Sequence, residues 1–227
     1  MSQVAVASFV LDVGTSLGRA RAHCDVPGVA HVAGRLLLGH GAGGGIDARD
    51  LLVARAVAVE AGWAVARIEQ PWRVAGKRVA PAPLRLDVAW LEVTRALVGS
   101  SGSGISAASG RSLAAFGTPS PLVLGGRSAG ARVACRTGAE LGAVGVVCLS
   151  FPLHPPGRPE RSRAAELAAV TCPVLVVQGE RDPFGGPDDV RAVAPAAARV
   201  VPVRSDHSLA RDADSVSRAV AAFLKGF

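Results

Sequence analysis

The sequence predicts an α/β fold: a mostly parallel central sheet with helices on both faces, an antiparallel hairpin at the N-terminal side, and no large cap domain. Two observations lead there. Runs such as Leu36–Leu38, Leu122–Leu124, Val144–Leu149 and Val174–Val177 are apolar throughout instead of alternating, the pattern of strands buried on both faces. Between them lie segments with helical spacing or helix-boundary residues, and strand–helix alternation builds parallel sheets. The bulk numbers agree. A chain of 227 residues, 49% hydrophobic and 19% charged, fits a single globular domain spanning residues 1–227 with a sizeable core.

Taken in order, residues 4–10 and 19–24 alternate roughly and would pair as a hairpin at a sheet edge, divided by Asp12-Val-Gly14. Arg35–Gly39 is a buried strand followed by the glycine-rich His40–Gly45. A helix is expected over 47–61, capped by Asp47 and ended by Gly62. Trp63–Ile68 is the next strand, and the prolines of 71–83 point to a loop. Residues 84–98 carry Leu84, Val88, Leu91 and Ala96 at helical spacing. The Ser/Gly-rich stretch over 99–121 reads as a mobile surface loop. A strand from Leu122 and a helix reaching about Leu141 follow. Then come a strand over 143–150, a rigid proline loop over 151–157 and a short helix over 162–170. The last elements expected are a strand over 173–178, a helix over 187–194, a strand over 199–203 and a closing helix over 212–223.

Several classes of protein are disfavoured. No apolar run approaches the roughly 20 residues of a membrane span. The start, Met1-Ser-Gln-Val-Ala, lacks the basic and apolar regions of a signal peptide, so the expectation is a soluble, cytoplasmic protein without membrane partners. The formal net charge is +7, but the arginines are scattered, only Lys77 and Lys225 are lysines, and there is no tyrosine to stack bases. Nucleic acid is therefore not expected as a partner. Cys24, Cys135, Cys148 and Cys172 show no C-x-x-C spacing and read as free thiols. His23 and His31 have no metal-ligand spacing either, and neither metal nor cofactor is expected.

Gly126-Arg-Ser128-Ala-Gly130 lies between an apolar strand and a helix of small residues. G-x-S-x-G in that setting is a nucleophile elbow, a turn so tight that glycine is needed two residues either side of the serine. In a glycine-rich chain the motif alone is weak, so context must carry it. Ligands of parallel sheets bind outside the carboxyl ends of the strands. Three reactive side chains sit just past strand ends there: Ser128, Asp182 and His207. A serine hydroxyl is a poor nucleophile until an imidazole takes its proton, and a carboxylate holds that imidazole in the right tautomer. The developing oxyanion needs backbone donors. Ala129 N–H behind the serine and Ala42 N–H in the His40-Gly-Ala turn are the candidates. His40 would brace that turn. His154 follows a strand and could face the pocket, but it is given no catalytic role.

A competing motif is Gly39-His-Gly41-Ala-Gly-Gly44, which matches G-x-G-x-x-G after a strand, with Glu69 as its ribose acid. A dinucleotide-binding protein of this kind would usually carry the motif in its first βαβ unit, whereas a hairpin precedes it here. It also leaves Ser128, Asp182 and His207 without a purpose.

Gly39-His-Gly-Ala-Gly-Gly-Gly45, Gly125-Gly-Arg-Ser-Ala-Gly-Ala-Arg132, Phe151-Pro-Leu-His-Pro-Pro-Gly157, Gly179-Glu-Arg-Asp-Pro-Phe-Gly185 and Asp206-His-Ser-Leu209 occur in that order. From about residue 35 onward the chain resembles the small, lidless α/β-hydrolases related to dienelactone hydrolase, in the branch carrying the Pro-Leu-His-Pro-Pro-Gly segment. The resemblance implies Ser128 as nucleophile, Asp182 as acid and His207 as base. Ala129 and Ala131 stand where that branch often has Met and Gly, which keeps a backbone donor but alters the pocket wall. The loop over 99–118 also looks longer than usual. The expected function is a serine hydrolase acting on a small ester, lactone or thioester through an acyl-enzyme, as a monomer or homodimer. A non-catalytic interaction module on the same fold is the second class; it predicts a blocked pocket or three residues out of mutual reach.

Overall fold

Which face each strand residue takes follows from simple alternation. Leu36 and Leu38 of one strand pack with one apolar cluster, and Leu37 between them packs with the other. The computed structural model describes residues 5–99 and 110–227. Its strands are β1 (Val6–Thr15), β2 (Gly18–Pro27), β3 (Arg35–Gly39), β4 (Ala64–Glu69), β5 (Leu122–Arg127), β6 (Gly145–Leu149), β7 (Val174–Gly179) and β8 (Arg199–Val203). They form one sheet in the order β1-β2-β4-β3-β5-β6-β7-β8. β1 and β2 pair antiparallel at the edge and β2 joins β4 antiparallel, while β4 through β8 run parallel.

Helices cover both faces. On one side lie α1 (Arg49–Glu60) and the C-terminal helix α8 (Ala213–Leu224), whose Leu51, Ala54, Val216 and Val220 bury against Val65, Val123, Leu149 and Val177. On the other lie α3 (Pro83–Val98), α4 (Gly110–Gly117), α5 (Ala129–Thr137) and α6 (Ala164–Ala168). Here Trp90, Val93, Val133 and Leu167 pack on Leu37, Leu124, Cys148 and Val176. The remaining described helices are the short α2 (Pro71–Val74) and α7 (Pro187–Arg191) and a 3-10 turn at Pro159–Arg161. Among the described residues no domain caps the carboxyl ends of the parallel strands, as the sequence predicts.

Several boundaries differ from the sequence-based expectation. The hairpin turns at Ser16-Leu17, not at Asp12-Val-Gly14. Leu11 and Val13 continue the buried alternation of β1, and Asp12 pairs across the strands with Arg21. Burial outweighs turn propensity there. Asp47 does not cap α1: the N-cap is Ala48 without a side-chain bond, and Asp47 Oδ1 accepts from Arg67 Nη1 at 3.4 Å instead. Residues 71–74 are helical where a loop was expected, because Pro71 occupies the first turn, where its missing N–H costs nothing. The helix after Ser128 ends at Thr137, short of Leu141. Helix α4 replaces part of the surface loop expected over 99–121, and the expectation for 100–109 lies outside the described residues. Asp212 does cap α8, accepting from Ser215 N–H at 3.1 Å.

Candidate active site

The elbow is built by backbone crowding between β3, β5 and α5. A Cβ added to Gly126 would sit 2.4 Å from Gly39 O, and one added to Gly130 would sit 2.2 Å from the same oxygen. Neither position tolerates any side chain. Ser128 between them has φ +52°, in the left-handed region that few non-glycine residues occupy, and its hydroxyl makes no capping bond to α5. Ser128 therefore does not serve α5 as a side-chain cap. Strain holds its Oγ clear of the sheet.

Asp182 follows β7 and His207 follows β8, two and three strands across the sheet from β5. His207 Nε2 lies 2.9 Å from Ser128 Oγ, and His207 Nδ1 lies 2.8 Å from Asp182 Oδ2. A carboxylate only accepts, so Nδ1 carries the ring proton and Nε2 is free to accept from the serine hydroxyl. Asp182 is walled in: its side chain has no exposed surface, and its Oδ1 accepts from Phe184 N–H at 2.9 Å. Phe184 also stacks on the imidazole, ring centroids 4.3 Å apart. All three residues singled out from the sequence thus meet in one row.

Gln178, in β7, was missed by the sequence reading. Its buried Nε2 faces Asp182 Oδ2 at 2.9 Å, Phe151 O at 3.2 Å and Gly185 O at 2.8 Å, tying the carboxylate to both flanking loops. A polar residue at the end of an otherwise apolar strand was the available signal.

Ala42 and Ala129 line the same cleft as Ser128 and His207. Among the described residues neither amide donates to a protein acceptor. Gly41 lies close beneath the serine; a Cβ there would sit 3.5 Å from Ser128 Cβ. His40 is buried, with Nδ1 2.8 Å from Gly41 O, and its Nε2 accepts from Gln70 N–H at 3.2 Å. Burial, and then the Arg73 charge, lower its pKa and keep it neutral. Because the Gly41 carbonyl and the Ala42 N–H belong to one planar peptide and point opposite ways, this bond aims the Ala42 amide away from His40. His40 braces the turn, as expected. Behind the elbow, Arg127 Nε lies 3.0 Å from the buried Asp50, whose carboxyl is pushed up to about 6 by burial despite that guanidinium.

The cleft has a volume of about 390 Å³ and is walled by Gly43, Pro152, Phe184 and three arginines. His154 does not line it: its Nδ1 is engaged with Pro155 O at 3.0 Å. The dinucleotide motif fares poorly as well. Its glycine loop packs on Ser128 and Arg127, and α1 starts only at Arg49. Glu69 turns to the hairpin side, 3.7 Å from His23 and 3.9 Å from Arg21. The four cysteines are free, and no cluster of metal-ligating side chains occurs among the described residues. No helix there is long and apolar enough to cross a membrane.

Comparison with known proteins agrees with this fold. Residues 32–221 match the family model described as an alpha/beta hydrolase domain, and the chain belongs to that family. Among solved structures it is similar to an α/β serine hydrolase without a lid from Xanthomonas campestris, at TM-score 0.74 and 18% identity, covering 100% of this chain and 96% of that one. It is similar also to Est1E from Butyrivibrio proteoclasticus, at TM-score 0.72 and 15% identity over 96% and 98% of the two chains. A dienelactone hydrolase from Anabaena variabilis aligns at TM-score 0.65 and 17% identity over 97% and 96%. No curated protein matches the chain.

Proposed function

We propose that this chain is a serine hydrolase cleaving a small ester, lactone or thioester through an acyl-enzyme. The observation that carries the reading is the unbroken row from Ser128 Oγ to His207 at 2.9 Å and from His207 to Asp182 at 2.8 Å. Ser128 Oγ attacks the carbonyl carbon while His207 Nε2 takes its proton, and Asp182 stabilises the resulting imidazolium. The carbonyl oxygen, now negative, takes hydrogen bonds from the Ala42 and Ala129 amides; one such donor is typically worth about 3–4 kcal/mol in the transition state. As the tetrahedral species collapses, His207 returns the proton to the leaving group. Water then repeats the sequence on the acyl-serine and frees the acid. No step needs a metal or cofactor. A small-molecule substrate, a cytoplasmic location and a monomer or homodimer belong to the same reading.

An interaction module would need neither the hydroxyl–imidazole contact nor a cleft reaching it, and nothing observed here favours that alternative. Labelling with a fluorophosphonate probe tests the reading. Wild type is expected to take up the probe and Ser128→Ala to take up none. Folded wild-type protein that stays unlabelled refutes the hydrolase.

A further inference from the structure

The three arginines lining the cleft differ in what neutralises them. Arg127 is paired with Asp50, and its Nη2 donates to the His207 carbonyl at 3.3 Å. Arg132 donates to both oxygens of Glu166, from Nε at 2.8 Å and Nη2 at 2.5 Å. Arg136 shares that carboxylate and closes on Asp87, so two guanidiniums face two carboxylates. Arg163 makes no ion pair among the described residues. Its one side-chain bond runs from Nη1 to the Pro152 carbonyl, at 2.9 Å.

Among the described residues no Asp or Glu lines the cleft: Asp182 is hidden behind His207, and Glu166 is taken up by Arg132 and Arg136. The Pro152 bond anchors one nitrogen and leaves the Nε–Nη2 edge unpartnered, and neither atom is buried. Two parallel N–H groups on one edge of a planar guanidinium match the two oxygens of a carboxylate. One unpaired cation also matches one negative charge better than a phosphate dianion. We propose that Arg163 is the recognition residue for a carboxylate carried by the substrate, so that the substrates are small ester monoanions such as monoesters of dicarboxylic acids. This rests on the hydrolase reading of the same cleft. Burial, and then the neighbouring Arg132 charge, lower the pKa of Arg163 against the opposing pull of Glu166, so a bound anion would favour its charged form.

The test uses matched chromogenic esters. One pair places the charge on the acyl side, 4-nitrophenyl hemiglutarate against 4-nitrophenyl valerate. The other places it on the leaving group, 4-acetoxybenzoate against phenyl acetate. Wild type should favour the charged member of one pair through KM, by about tenfold, the low end for a charged hydrogen bond at a part-exposed site. The preference should shrink in high salt. Arg163→Gln should bring the ratio near one, and Arg163→Lys should restore part of it. Equal KM within both pairs for wild type, or a preference that survives in Arg163→Gln, overturns the proposal. If wild type neither hydrolyses any ester nor takes the fluorophosphonate, the hydrolase reading falls by itself. Calorimetry with monomethyl glutarate on the Ser128→Ala protein, with and without Arg163→Gln, then decides the binding claim: heat lost with Arg163 supports it, and equal heat overturns it.

Discussion

Replacing Gly130 by alanine should damage stability and chemistry together, because one backbone contact underlies both. The added Cβ would sit 2.2 Å from Gly39 O and 2.4 Å from Gly39 C, whereas ordinary contact begins at 3.4 Å. β3 and α5 must therefore separate by about 1.2 Å, and no flexible side chain is available to yield. Overpacking of a tight interior costs typically 1–3 kcal/mol; with backbone on the receiving side we expect about 3 kcal/mol. The same displacement moves the start of α5, which carries the Ser128 hydroxyl and the Ala129 amide. A misplacement of about 1 Å can cost on the order of 100-fold in rate. Urea denaturation followed by fluorescence gives the stability loss. The rate of fluorophosphonate labelling, measured well below the transition, gives the chemical loss. Gly45→Ala is the control: its Cβ would meet nothing within 4 Å, and stability should stay within about 0.5 kcal/mol. A Gly130→Ala protein as stable and as quickly labelled as wild type would refute the idea that crowding between Gly39 and Gly130 sets the elbow.

Two further outcomes follow from the surrounding polar groups. Gln178→Leu removes the donor to Asp182 and to two loop carbonyls; it should cost about 2 kcal/mol of stability and lower kcat about tenfold with little change in KM, and a kcat within twofold of wild type would contradict that positioning. Burial alone would raise the Glu166 pKa, but hydrogen bonds and charge from Arg132 and Arg136 override it and hold the carboxyl below its ordinary value. A depressed folded-state pKa adds stability that is present at neutral pH and lost as pH falls through the acid range. Glu166→Gln should therefore be less stable than wild type at pH 7, with the gap closing as pH falls below the ordinary carboxylate range. Parallel curves of urea midpoint against pH would refute this. Asp50, raised to about 6, acts with the opposite sign, but it is common to both proteins and drops out of the difference.

The chain order Ser128, Asp182, His207 and the strand–helix alternation were legible because each depends on local residue type and spacing. Asp12-Val-Gly14 misled because its turn propensity is local, whereas the burial of Leu11 and Val13 against the rest of the sheet is not. Asp47 misled for a related reason: Arg67, 20 residues away, competes for its carboxylate.

By itself the amino-acid sequence determined the class of fold, the elbow with its two flanking glycines, and which three side chains could perform the chemistry. Apolar periodicity and steric limits on the backbone act over a few residues, so they can be read along the chain. Only the tertiary structure decided that β5, β7 and β8 lie in an order that brings a hydroxyl, an imidazole and a carboxylate into contact. It alone put Gln178 behind the carboxylate and left Arg163 without an ion pair among the described residues. Strand order and charge balance arise from contacts between residues far apart in the chain, and no local pattern encodes them.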